Sequence, residues 1–313
     1  MHPAPSVITF TVLSGAGYGL LALIGLFGCF DALPGDQTTA ILVSLAALGL
    51  VSAGLLSSTL HLGRPDRAWR AFSQWRSSWL SREGVAAIIT FIPALAAAYG
   101  WIMTGVINPM LGLLLALCAG ITVFCTGMIY ACLKTVPQWH RGWVPLVYLA
   151  LALMTGGLWA TALTALLGHD VFGLELLAFM ALLLGWAVKW LEITDRANIE
   201  AQSTAGTALG LEAETTVKMI EPPHQGRNYL LREMAFEVGR KHAEKLRKIM
   251  WLCGAAWPLL MLIVVLLSPA GAIAGFAALL ALIFGMAGCF IERWLFFAEA
   301  QHKVTLYYGA NAV

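Results

Sequence analysis

Ile41-Leu42-Val43-Ser44-Leu45-Ala46-Ala47-Leu48-Gly49-Leu50-Val51-Ser52-Ala53-Gly54-Leu55-Leu56 is uncharged and apolar on every face of a helix. Strands of a membrane barrel alternate in polarity along their length. All-round apolarity is instead what a helix exposed to lipid needs, because its backbone hydrogen bonds close within the segment. Runs of the same kind, long enough to cross a hydrocarbon core of about 30 Å, lie near 7–30, 39–61, 83–104, 110–133, 143–167, 171–193, 249–268 and 270–297. Composition agrees: 59% of the 313 residues are hydrophobic and 12% charged, with a mean hydropathy of +0.78, far from the soluble average. The expected fold class is all-α, a polytopic membrane protein with eight transmembrane helices. No nucleic-acid partner is expected.

Threading those spans sorts the loops between two sides, and all nineteen Lys and Arg residues then fall on one of them. That side holds the amino terminus, the 62–82 loop (Arg64, Arg67, Arg70, Arg76, Arg82), the 134–142 loop (Lys134, Arg141), the 194–248 segment and the carboxyl terminus, with Lys189, Arg293 and Lys303 at its helix ends. The other side offers Asp31, Asp36 and Asp170, with Glu175 close to its surface. Because the Lys and Arg bias of short loops sets orientation, both termini and the Arg-rich loop are expected in the cytoplasm, and the protein in a bacterial inner membrane as a multi-pass chain. The separation also supports the helix count, since a missed helix would scramble it.

The chain divides into 1–193 with the first six spans, a cytoplasmic insertion at 194–248, and 249–313 with the last two spans and a tail. The insertion mixes nine basic and eight acidic residues around Pro222, Pro223 and Gly226. Its second half, Tyr229 to Met250, reads as a charged helix with Leu230, Met234, Val238 and Leu246 as an apolar stripe. It is either a solvated hairpin or a docking surface for a partner. No internal repeat is obvious, although the two four-helix halves could be related in fold. The first span is read as retained rather than as a cleavable signal, since Met1 to Ser6 has no Lys or Arg and no small-residue cleavage site follows. Cys118, Cys125 and Cys132 repeat every seven residues and read as packing residues on one helix face.

Ionisable groups at membrane depth are expensive and point to function. His61 ends the second span and Glu83 opens the third, so one loop joins an imidazole and a carboxyl at the same membrane edge. Such a pair suits a site that exchanges protons. Taken singly, His61 is equally a helix-end histidine facing headgroups and Glu83 a charge favoured at a helix amino terminus. Trp69, Trp75 and Trp79 are what interfacial anchoring predicts, and the Arg residues between them what topology predicts. Five Arg within 62–82 nevertheless exceed what orientation needs, and a ring of Trp and Arg makes a mouth through which a flat apolar molecule could enter from the bilayer.

Leu60-His61-Leu62-Gly63-Arg64-Pro65 with Arg67-Ala68, Leu80-Ser81-Arg82-Glu83, Thr135-Val136-Pro137-Gln138-Trp139 and Arg293 in the last span together resemble the membrane-anchor subunits of dimethyl sulfoxide reductase-type molybdoenzymes. The resemblance covers the whole helical layout. It implies an eight-helix anchor, not itself the catalyst for the substrate, that exchanges electrons between quinones and a partner iron–sulfur subunit, which in turn serves a molybdopterin catalytic subunit. It ties His61 and Glu83 to quinone binding. For a ubiquinone or menaquinone held beside them, Arg64, Arg82 and Arg293 are candidates for orienting the headgroup or stabilising a semiquinone anion, and Tyr130 and Trp139 are candidate wall residues. No haem is expected, because the family's anchors generally lack one and no pair of histidines is buried on neighbouring helices; His140 and His302, at the same surface as His61, are the alternative ligands. The 194–248 insertion and the cytoplasmic bias of the His61 side depart from the respiratory reductases, and that inverted orientation is similar to the cytoplasm-facing sulfite dehydrogenases. A transporter with Glu83, Glu175 and Lys189 as coupling groups is the competing class. The lack of a clear inverted repeat and of a charge near the midplane speaks against it. A purely structural anchor is a third.

Overall fold

The computed structural model describes residues 4–60, 62, 64–197, 203–212, 215–218, 220–221 and 242–308. Among them are eight helices long and apolar enough to cross a membrane: α1 (Pro5–Gly28), α2 (Gln37–Thr59), α3 (Trp79–Thr104), α4 (Pro109–Ala131), α5 (Trp143–Leu166), α6 (Phe172–Ala197), α7 (Ala243–Leu267) and α8 (Ala272–Ala298). No strand occurs among the described residues. The chain is an all-α, multi-pass membrane protein.

Helix ends follow local chemistry. The Asp36 carboxylate accepts the Thr39 N–H at 2.8 Å to open α2, Asn108 accepts the N–H groups of Met110 and Leu111 to open α4, and Gly105 at φ +76° closes α3. Both α3 and α7 begin several residues before their apolar runs. Leu80-Ser81-Arg82-Glu83 and Glu244-Lys245-Leu246-Arg247-Lys248 are good helix formers that hydropathy cannot see. From Ala243 the charged stretch does run straight into the seventh span, as expected. Its earlier part, with Leu230, Met234 and Val238, lies outside the described residues, as do Pro222, Pro223 and Gly226. Of the heptad cysteines only Cys125 is buried and Cys132 is exposed, so they do not form one continuous packing face.

The helices assemble as two four-helix groups with the same wiring. In the first, α1 packs on α2 and α4, and α3 on α4; in the second, α5 packs on α6 and α8, and α7 on α8. Contacts of α5 with α1 and α4 join the groups. Lipid gives helices no hydrophobic incentive to associate, so close van der Waals contact between small residues must do it. Gly15 and Gly19 of α1 are four residues apart, as are Ala152 and Gly156 of α5. A Cβ on Gly19 would lie 1.8 Å from the Ala152 carbonyl oxygen, and one on Gly156 2.2 Å from the Gly19 carbonyl carbon. At this crossing the two backbones touch.

On the predicted basic side, the 134–142 loop, the described ends of the 194–248 segment and the carboxyl-terminal segment share one end of the bundle and are knitted together. Arg141 pairs with Asp195, and Arg196 and Arg247 both grip Glu299, at 2.7 and 2.6 Å. The Lys303 N–H donates to the Thr135 carbonyl at 3.0 Å, and the Gln301 N–H to Gln138 Oε1 at 3.1 Å. At the opposite end, His169 Nε2 lies 2.8 Å from Asp36 Oδ2 and the Trp101 indole donates to the Pro34 carbonyl at 2.9 Å.

Replacing Gly19 by Leu should therefore separate α1 from α5 at a cost of about 3 kcal/mol or more, seen as loss of a monodisperse protein in mild detergent. Gly49→Leu, where a Cβ meets nothing within 4 Å, should leave the thermal unfolding midpoint near that of the parent.

Candidate functional site

The loop between α2 and α3 does not run free across the bundle. It starts as a 3-10 helix at Pro65–Phe72, whose inner residues Arg67, Ala68, Ala71 and Phe72 roof a cavity while Trp69 points outward at 64% exposure. Phe72 settles over Gly84, where a Cβ would come within 2.8 Å of its ring. Only the missing side chain lets the roof close onto α3. Arg82 fastens the far end of the loop: Nε donates to the Trp75 carbonyl at 3.0 Å, Nη2 to the Arg76 carbonyl at 2.7 Å, and the guanidinium lies 4.3 Å from the Trp79 ring centre.

Beneath that roof lies a cavity of about 640 Å³ at the basic end of the first four-helix group, within the range of small-molecule sites. Val7 and Phe10 come from α1, Leu55, Ser58 and Thr59 from α2, and Ile129 and Tyr130 from α4. From α3 it takes Leu80, Glu83, Ile88 and Phe91. Leu80 and Ile88 are about half exposed on the lipid-facing side of α3, so the cavity is bordered by the surface that meets acyl chains. Polar groups are few and gathered near the roof: Arg64, Arg67, Ser58, Thr59 and Glu83. Glu83 is only 5% exposed, and its Oε1 has no hydrogen-bond partner among the described residues. A buried carboxyl oxygen left without a partner is costly, which makes it an attachment point for a polar group inside the cavity.

The candidate residues separate into three sets. Glu83, Arg64 and Tyr130 line the cavity, and Leu62 from the His-Leu-Gly stretch does so as well. His61 itself lies outside the described residues. Arg82, Trp139 and Arg293 do not line it. Arg82 is spent on the loop carbonyls. Trp139 stands one layer back, its ring 5.4 Å from Tyr130 and its indole donating to the Phe296 carbonyl at 3.0 Å; it belongs to the seam that receives the carboxyl-terminal segment. Arg293 is buried in the second group, Nε 2.5 Å from Glu292 Oε2. Arg67, Phe72 and Gly84 are wall residues that sequence reading passed over. A helical reading of 64–72 would have found the first two, since 64, 67, 68, 71 and 72 recur at helical spacing; nothing local marks Gly84.

A second feature also went unread. Lys189 bridges Glu192 at 2.8 Å and Glu292 at 2.7 Å, and Arg196 stands 3.8 Å from Glu192. With Arg293, Arg196, Glu299 and Arg247 this makes a continuous chain of ion pairs across α6, α7 and α8 at the basic end. Opposite charges at i and i+3 in one span, facing a Glu-Arg pair in another, were the available signal. Among the described residues no cluster of three or more His, Cys, Asp or Glu could hold a metal ion.

Comparison with known proteins follows the same outline. The family described as DMSO reductase anchor subunit (DmsC) matches residues 1–309. A sulfite dehydrogenase subunit of Allochromatium vinosum is 34% identical over 335 aligned positions that span 100% of both chains. An anaerobic dimethyl sulfoxide reductase subunit of Escherichia coli is 28% identical, over 66% of this chain and 75% of the relative. A second such subunit of the same organism, YnfH, is 32% identical over 52% of this chain and 57% of its own length. With eight membrane-crossing helices and a match along nearly its whole length, the chain belongs to the family of DMSO reductase anchor subunits.

Proposed function

We propose that this chain binds a quinone, ubiquinone or menaquinone, in the cavity under the 65–72 roof, and passes to it electrons delivered by an iron–sulfur subunit that serves a molybdopterin catalytic subunit. The observation that carries this reading is the make-up of the cavity: about 640 Å³ with apolar walls bordered by lipid-facing side chains, and at one end two Arg and a buried carboxyl oxygen that has no partner among the described residues. These residues fit a flat apolar ring with polar oxygens and an apolar tail. Such a ligand brings an acceptor for two electrons and two protons.

The chain's own groups divide the remaining work. Glu83 can accept a hydrogen bond when ionised and donate one when protonated, so it can hold a ring oxygen and exchange a proton there. Arg64 and Arg67 favour negative charge on an oxygen near the roof. Phe10, Ile88 and Phe91 keep water from the ring, and the half-exposed Leu80 and Ile88 put the cavity beside lipid, where an apolar tail can lie. His61 is the proposed proton partner of Glu83, on the strength of the resemblance.

The cavity and the basic loops share one end of the bundle. Because Lys and Arg stay in the cytoplasm, that end is proposed to face the cytoplasm of a bacterial inner membrane, with the iron–sulfur and catalytic subunits docked on the same face as the cavity. The full-length relative, a sulfite dehydrogenase subunit, favours sulfite as the partner's substrate and the quinone as electron acceptor. Oxidation of that substrate lies with the partner, not with this chain.

Purification of the complex in mild detergent, followed by solvent extraction, should yield stoichiometric quinone; a preparation free of quinone that also fails to bind an added short-chain ubiquinone would leave only a structural anchor. Glu83→Gln keeps the size and hydrogen-bonding reach of the side chain but cannot exchange a proton. It should lower quinone-linked turnover about a hundredfold while dye-linked activity of the assembled complex persists, and His61→Ala should act likewise. Gly84→Val should push Phe72 into the cavity and raise the KM for a short-chain quinone about tenfold; an unchanged KM would place the ligand elsewhere.

A further inference from the structure

We infer that Arg293 is a positioning residue for the quinone cavity, acting across the seam between the two four-helix groups through Tyr148 on Tyr130. The inference rests on the quinone reading above. Arg293 never reaches the cavity, yet it is 2% exposed and its guanidinium carbon lies 4.0 Å from the centre of the Tyr148 ring. Tyr148 in turn stacks on Tyr130, 5.8 Å between centres and 19° between planes. Tyr130 is the member of this stack that lines the cavity. Phe296 and Phe297 stand edge-on to it at 5.6 and 5.3 Å, and Trp139 at 5.4 Å. These rings box the phenol on three sides, and the Tyr148 plate closes the face behind it.

What holds the plate is charge. Arg293 is pinned by Glu292, Glu292 by Lys189, and Lys189 by Glu192. These four are nearly inaccessible, and their two cations and two anions cancel. Groups so buried are retained at a desolvation cost that hydrophobic residues would avoid, so the ion pairs fix a geometry rather than add stability. Among the described residues, both Nη atoms of Arg293 and the Tyr148 hydroxyl lack a well-aligned hydrogen-bond partner. They adjoin a cavity of about 20 Å³ between α1, α5 and α8, lined also by Thr11 and Thr155, which has room for one water molecule. Such a water would satisfy the guanidinium without drawing it off the ring. The wall of the cavity in the first group is thus set from the second.

The test uses the intact complex and equilibrium binding of decyl-ubiquinone, measured beside thermal stability and the KM and kcat of quinone reduction. Tyr148→Leu removes the stack without unbalancing charge, Tyr148→Phe keeps it, and Arg293→Lys keeps charge but loses the flat cation. Tyr148→Leu and Arg293→Lys should each weaken binding about three- to tenfold, the worth of one aromatic or cation–π contact, with KM rising more than kcat falls. Tyr148→Phe should bind as the parent does. Should Tyr148→Leu lose thermal stability yet bind decyl-ubiquinone as tightly as the parent, or Tyr148→Phe bind as weakly as Tyr148→Leu, the inference is overturned. If the parent complex itself binds no quinone, it is the quinone reading that fails and the inference falls with it.

Discussion

Everything in this molecule is arranged around the place where α1 and α5 touch through Gly19, Ala152 and Gly156. In a bilayer, apolar side chains gain nothing by leaving lipid for protein, so two helices stay together only if their backbones come close enough for dense contact. Gly at the crossing supplies that closeness. It makes α1 and α5 the inner helices, each packed on two helices of its own group, and it creates a seam along which α1, α4, α5 and α8 meet. Tyr130, Tyr148 and Arg293 lie on that seam.

The two groups share their wiring but use their basic ends differently. In the first, the end is open beneath a short roof, and the one deeply buried carboxyl described there, Glu83, has an oxygen without a partner among the described residues. In the second, the end is filled by ion pairs running from Arg247 and Glu299 at the rim to Glu292 and Arg293 inside. Unpaired charge in a low-dielectric setting is tolerated where it meets a ligand, whereas paired charge is a fixture. On that contrast the first group is the proposed binding half, and the second grips, through Glu299, the helices on either side of the 194–248 segment.

Much of this was legible in the residues. Spans such as Ile41–Leu56 carry their environment in their composition, so the fold class and helix count follow directly. The His61-to-Glu83 stretch stood out because ionisable groups are rare among apolar runs, and Glu83 and Arg64 are indeed brought together on one cavity. What stayed hidden depends on distance rather than composition. Arg82 and Arg64 look alike in sequence, yet one is consumed by the carbonyls of Trp75 and Arg76 while the other faces the cavity. Trp139 stands one layer behind the cavity wall, against Tyr130, and Arg293 a layer farther back, behind Tyr148. Gly84 has no local signature, because its importance lies in the Phe72 ring that occupies its missing side chain. The likeness of the two halves shows only in which helices touch, since lipid-facing positions accept many apolar residues and leave little repeat to read.

The central claim, that a redox-active lipid binds beside Glu83 at the basic end, is tested most directly by an electron cryo-microscopy reconstruction of the intact complex soaked with a quinone. The account predicts headgroup density under the 65–72 turn, within hydrogen-bond reach of the Glu83 carboxyl and near Arg64 and Arg67, with the iron–sulfur subunit on that same end. Density for an acyl chain alone in that space, or a donor subunit bound at the Asp36 end of the helices, would contradict it.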